Sequence, residues 1–94
     1  DMNAIKAELT GSSALEELLN AKYDGIMEHL RDEIPLTRYE FRLLSYYFSG
    51  LSTSSIRFLT EESVSNIYKL KSRLKDRIST TDSPHGQEFL KLLK

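Results

Sequence analysis

Cysteine is absent from the sequence, which excludes disulfides and thiolate metal sites and fits a chain kept in a reducing, cytoplasmic compartment. No apolar run approaches the ~20 residues of a membrane span and no signal-peptide pattern is present, so no membrane contact by this segment is expected. Four glycines, two prolines and few valines or isoleucines leave little from which to build turns and strands. What is abundant is leucine, glutamate, lysine and arginine, which with alanine are the good helix formers. At 94 residues, 39% hydrophobic and 29% charged, the chain has the profile of one small globular domain and not of a disordered segment. An all-α bundle of five or six helices is expected.

The formal net charge of -1 hides an asymmetry. Residues 1–37 carry eight acids and three bases, whereas residues 38–94 carry ten bases and six acids. A basic half beside an acidic half suggests that one part meets an anion while the other faces water or a partner.

Local signals place the helices. A short helix is expected over 2–9. A longer one is expected over 13–33, capped by Ser12 or Ser13, weakened in its middle by Gly25 and stopped at Ile34-Pro35. Thr37 followed three residues later by Glu40 forms a capping box, with Leu36 placed to staple onto Phe41. Gly50 sits where a left-handed residue would end that helix. Ser52 can cap a short helix over 53–59, and Ser63 a long one over 64–80. At the end, Asp82 or Ser83 caps, Pro84 fits a first turn, and Phe89, Leu90, Leu92 and Leu93 supply an apolar face.

The stretch "NIYKLKSRLKDRI" puts Lys69, Lys71, Arg73, Lys75 and Arg77 at every second position, a strand-like spacing. On a strand, however, the other face would hold Ser72 and Asp76 and make a poor core. At ~100° per residue in a helix, Ile67, Leu74 and Ile78 align in one stripe flanked by Val64 and Leu70. Winding then sends Lys69 outward with Ser65, Ser72 and Asp76, and places Arg73 at the shoulder of that arc near Asn66. Lys75 and Arg77 flank the helix, and Lys71 must snorkel past the apolar stripe. Small polar residues at the centre with cations toward the edges suit a helix lying between two phosphate walls. A solvated cationic face that binds nothing is the competing reading of this stretch alone. The short helix, brief link and longer helix make a helix-turn-helix spacing.

Residues 36–78 resemble the LuxR/GerE-type DNA-binding helix-turn-helix domain of bacterial response regulators. Leu36, Thr37, Glu40, Leu43, Leu44, Gly50, Ser52, Ile56, Ser63, Ile67, Leu74 and Ile78 fall on the family pattern without a gap. The stretch with "DSPHGQEFLKLL" after it is similar to a divergent branch in which this domain ends longer regulators, often with tetratricopeptide sensor repeats upstream. That resemblance implies an upstream sensor domain in the same chain and accounts for a start at Asp1-Met2. Family base-contacting positions map onto Tyr68, Lys69 and Ser72. The family's turn leucine and isoleucine are Thr60 and Glu62 here. Either Phe58 and Leu59 fill the core from shifted positions, or Thr60 and Glu62 shape a different turn. Arg57, Tyr68 and Leu70 replace the family's alanine, lysine and histidine.

The organisation expected is an N-terminal helical extension or linker over 1–35, a helix-turn-helix core over 36–80 and a C-terminal helix over 81–94 on the core or at a dimer contact. The function expected is the DNA-binding domain of a bacterial transcription regulator, acting on double-stranded DNA as a homodimer. Asn66, Lys69, Ser72 and Arg73 would approach base edges, and Arg38, Arg57, Lys71, Lys75 and Arg77 would contact phosphates. The alternative is a helical protein–protein interaction module that keeps the fold without binding DNA. No catalytic constellation, cofactor motif or metal site is expected. His29 and His85 lie far apart in the chain with no neighbours at ligand spacing, and the runs Glu16-Glu17 and Asp32-Glu33 read as solvated faces. Tyr39, Phe41, Tyr46, Tyr47 and Phe48 read as core, with some left over for a partner surface.

Overall fold

The computed structural model describes residues 14–93, so the expected helix over 2–9, and the Ser12 or Ser13 expected to cap the helix over 13–33, lie outside the described residues. Six α-helices and no strand occur among the described residues: α1 Ala14–Lys22, α2 Ile26–Glu33, α3 Arg38–Phe48, α4 Thr53–Thr60, α5 Val64–Thr80 and α6 Gly86–Leu92. The expected all-α bundle is what the chain forms. No helix among them is long and apolar enough to cross a membrane.

The expected long helix over 13–33 is instead two helices. Asp24 and Gly25 adopt φ of 60° and 80°, both left-handed, and reverse the chain between α1 and α2. The Gly25 N–H still reaches back to the Asn20 carbonyl at 2.8 Å, closing α1, while the Asn20 side-chain oxygen accepts from the Met27 N–H at 2.8 Å and serves the first turn of α2. One asparagine thus supports the end of one helix and the start of the next. The break lets Leu19 on α1 and Ile26, Met27 and Leu30 on α2 all reach the core. Ile34 then turns extended before Pro35, as the proline dictates.

The capping box on α3 is complete: Thr37 Oγ1 accepts from the Glu40 N–H at 3.1 Å, and Glu40 Oε1 accepts from the Thr37 N–H at 2.9 Å. At the other end Gly50, at φ 81°, lets its own N–H reach the Tyr47 carbonyl and the Leu51 N–H reach the Tyr46 carbonyl, a Schellman closure. Ser52 and Ser63 cap α4 and α5, accepting from the Ser55 and Asn66 N–H groups at 3.2 and 3.1 Å.

The start of α6 differs from the sequence expectation. Neither Asp82 nor Ser83 caps it; His85 stands at the N-cap, and Pro84 precedes the helix. Ser83 is occupied elsewhere, donating its hydroxyl to Glu33 at 2.6 Å.

One apolar cluster runs from Leu19 to Leu93. Helices α1 and α2 feed it alongside Leu43, Leu44 and Tyr46 of α3, Ile56 of α4, Ile67, Leu74 and Ile78 of α5 and Phe89 of α6. Each fully buried leucine, isoleucine or phenylalanine contributes about 1.5–3 kcal/mol. Of the aromatic group on α3, Tyr46 and Phe48 are core, Phe41 and Tyr47 pack against it half-buried, and Tyr39 lies outside.

Candidate functional site

The outward side of α5 exists because its inward side is committed. Ile67, Leu74 and Ile78 are buried, and the helix packs against α4 and α6. Ser65, Tyr68, Lys69, Ser72, Arg73 and Asp76 are left exposed. Lys69, Ser72 and Arg73 make no side-chain hydrogen bond or ion pair among the described residues, so two cations and a hydroxyl are unencumbered on this face. Exposed Arg57 on α4 and exposed Arg38 at the start of α3 are likewise without a protein partner among the described residues.

Of the remaining expected contacts, Asn66, Arg77 and Lys71 are engaged inside the protein. Asn66 donates its side-chain amide to Glu62, which also accepts from the Tyr39 hydroxyl at 3.0 Å. Arg77 is tied to α3, with Nη1 2.7 Å from Glu40 Oε1 and 3.2 Å from the Pro35 carbonyl. Lys71 snorkels as expected, its Nζ 5.5 Å from the centre of the Tyr47 ring. Lys75 is half-buried without a salt-bridge partner among the described residues.

The α4–α5 link resolves the alternatives left open at Thr60 and Glu62. Leu59 is buried, whereas Phe58 is 41% exposed, so only one of the pair fills the core. Thr60 donates its hydroxyl to the Ile56 carbonyl at 2.8 Å and accepts from the Glu62 N–H at 3.3 Å. Glu61 takes the left-handed conformation, φ 61°, that closes α4. The turn is therefore polar, built on Thr60 and Glu62 with Tyr39 and Asn66 as their partners.

The electrostatics follow these contacts. The Arg77 guanidinium, against a smaller opposing effect of burial and with help from the Thr37 N–H, holds the Glu40 carboxyl below its ordinary 4.5. Burial, then the Glu62 hydrogen bond and charge, push the Tyr39 hydroxyl up. Burial, with Tyr39 and Tyr68 nearby, pushes the Tyr47 hydroxyl up to about 12. Tyr47 is thus a fixed donor, and it donates to the Ile67 carbonyl at 3.0 Å, pinning α5 to α3.

A second cluster corrects the separation expected of the histidines. His29 and His85 are neighbours, their rings stacked 3.9 Å apart at 13°. Glu33 joins them: its Oε2 lies 2.5 Å from His85 Nδ1 and 3.8 Å from His29 Nδ1. Its Oε1 accepts from the Ser83 hydroxyl at 2.6 Å and the His85 N–H at 2.9 Å. Burial alone would raise the Glu33 carboxyl, but the Ser83, His85 backbone and His85 imidazole contacts together outweigh it and lower it. The i, i+4 spacing of His29 and Glu33 on one helix signals that pair, against the expectation that Glu33 lies on a solvated face; His85 arrives through the fold. Family models, curated proteins and solved structures offer no match to the chain.

Proposed function

We propose that the chain is a DNA-binding module in which α5 lies in a major groove. The observation carrying this reading is the bare outward side of α5, where Lys69, Ser72 and Arg73 face solvent with no protein partner among the described residues. Lys69 and Arg73 reach toward guanine edges or the flanking phosphates, and Ser72 supplies a short group at the floor of the groove. Arg57 and Arg38 add phosphate contacts, with Lys71 and Lys75 as lateral charges. Asn66 and Arg77 act as positioning residues: one orders the α4–α5 turn and the other locks α5 to α3. One helix specifies little sequence, so the module works as a homodimer on paired half-sites, driven by an upstream sensor domain. The setting is transcription regulation in a bacterial cytoplasm, which follows from the resemblance over residues 36–78.

The test is a fluorescence-anisotropy titration of a labelled duplex at low salt. The parent should bind at micromolar affinity or tighter, and affinity should fall steeply with added salt as counterions are reclaimed. Lys69→Glu with Arg73→Glu should weaken binding by at least about a hundredfold, with an unchanged circular dichroism spectrum. Equal affinity for the parent and the double variant contradicts the proposal. Absence of binding by the parent favours a protein-interaction module, for which exposed Tyr68 and Val64 on the same helix are the nearest apolar contacts.

A further inference from the structure

We propose that His29, Glu33 and His85 form a binding site for a divalent first-row transition ion, with zinc as the reference metal. The donors come from two segments: α2 supplies His29 and Glu33 from one face, one turn apart, and the loop entering α6 supplies His85. One donor atom from each residue lies within 4.8 Å of the others. A tetrahedral ion about 2.0–2.1 Å from each nitrogen and oxygen sets its donors about 3.3–3.4 Å apart, so the wider-spaced donors must close by roughly 1–1.5 Å and the Glu33–His85 pair, now at 2.5 Å, must open to admit it.

The carboxylate is already oriented for the task. Oε1 is occupied by the Ser83 hydroxyl and the His85 N–H, which leaves Oε2 facing both imidazoles. Such outer contacts, fixing one oxygen and presenting the other, are what hold a ligating carboxylate in place. Without metal, Oε2 is hydrogen-bonded to His85 Nδ1 at 2.5 Å. The ion takes the place of that hydrogen bond, and the proton it holds leaves to solvent. Because the rings are nearly parallel, one must swing to aim its nitrogen at the same ion. His29 is suited to this, since its side chain is 41% exposed and its Nδ1 lies 3.8 Å from Glu33, beyond hydrogen-bond reach. Two imidazoles and one carboxylate suit zinc and its neighbours and leave a fourth position for water. The ion would clip the 83–85 loop onto α2, on residues that the proposed DNA-contacting face does not use.

The test uses the full, tag-free chain stripped with chelator, titrated with zinc chloride by calorimetry, with thermal unfolding followed in parallel by circular dichroism. One ion should bind per chain at micromolar affinity or tighter, and a hundredfold excess over Kd should raise Tm by about 10 °C. Glu33→Gln also removes the carboxylate charge facing His85 and weakens the Ser83 and His85 contacts, and so lowers Tm without metal. His29→Gln is therefore the deciding variant: it should leave the metal-free Tm within about 2 °C of the parent and weaken zinc binding at least about a hundredfold. No binding by the parent, or binding that His29→Gln leaves unchanged, overturns the assignment.

Discussion

Glu40 shows how much one side chain can carry. It completes the capping box with Thr37 and receives Arg77 from the far end of α5 at 2.7 Å. Because its carboxyl is depressed in the folded chain, its contribution is present above the ordinary value of 4.5 and is lost as pH falls through the folded value. Glu40→Gln should therefore lower stability at pH 7 by about 1 kcal/mol. Urea titrations at decreasing pH should show the gap between parent and variant closing only below about pH 4.5, the ordinary carboxylate range. Tyr46 is the opposite case. Its ring is buried in the core, while its hydroxyl has no hydrogen-bond partner among the described residues and burial raises it. Leaving that group unsatisfied costs about 1–3 kcal/mol, so Tyr46→Phe should be neutral or stabilising by about 1 kcal/mol in chemical denaturation. The sequence marked Tyr46 as core but gave no sign that its hydroxyl would be stranded.

Helix ends were readable where their partners are close in sequence. Thr37 with Glu40, Gly50, Ser52 and Ser63 each act on a group within five residues, and each stands where the local pattern placed it. The start of α6 was not readable, because Ser83 is drawn to Glu33, fifty positions away. The break between α1 and α2 was half-readable. Gly25 signalled a weak point, but the reversal also needs Asp24 in the left-handed region and the Asn20 side chain on the Met27 N–H. A Cβ at Gly25 would meet nothing closer than His29 Nε2 at 3.8 Å, so space is not the obstacle. The cost is conformational, at φ 80°. Gly25→Ala should destabilise by about 1–2 kcal/mol in urea, with the helical spectrum unchanged. A stabilising effect of that variant would mean that α1 and α2 prefer to run as one helix.

At the scale of the molecule, the core joins α1 and α2 to the helices that follow, and the α5 side chains left outside it are mostly polar or charged, with Val64 and Tyr68 the exposed apolar exceptions. The apolar stripe of α5 was legible because a helical period fixes it: Ile67, Leu74 and Ile78 are all buried. The fate of the cations was not, because it depends on what the other helices offer them. Glu40 claims Arg77 and Tyr47 shelters Lys71, while Glu62 claims Asn66. The stacked histidines escaped a linear reading for the same reason. What remains accessible on α5 is a narrower face than the sequence suggested, centred on Lys69, Ser72 and Arg73. The most direct test is amide chemical-shift mapping of the labelled chain on addition of duplex DNA. The largest changes should fall on residues 65–76 of α5 and near Arg57, with α1 unaffected. Shifts confined to other surfaces, or none at millimolar duplex, would contradict the account.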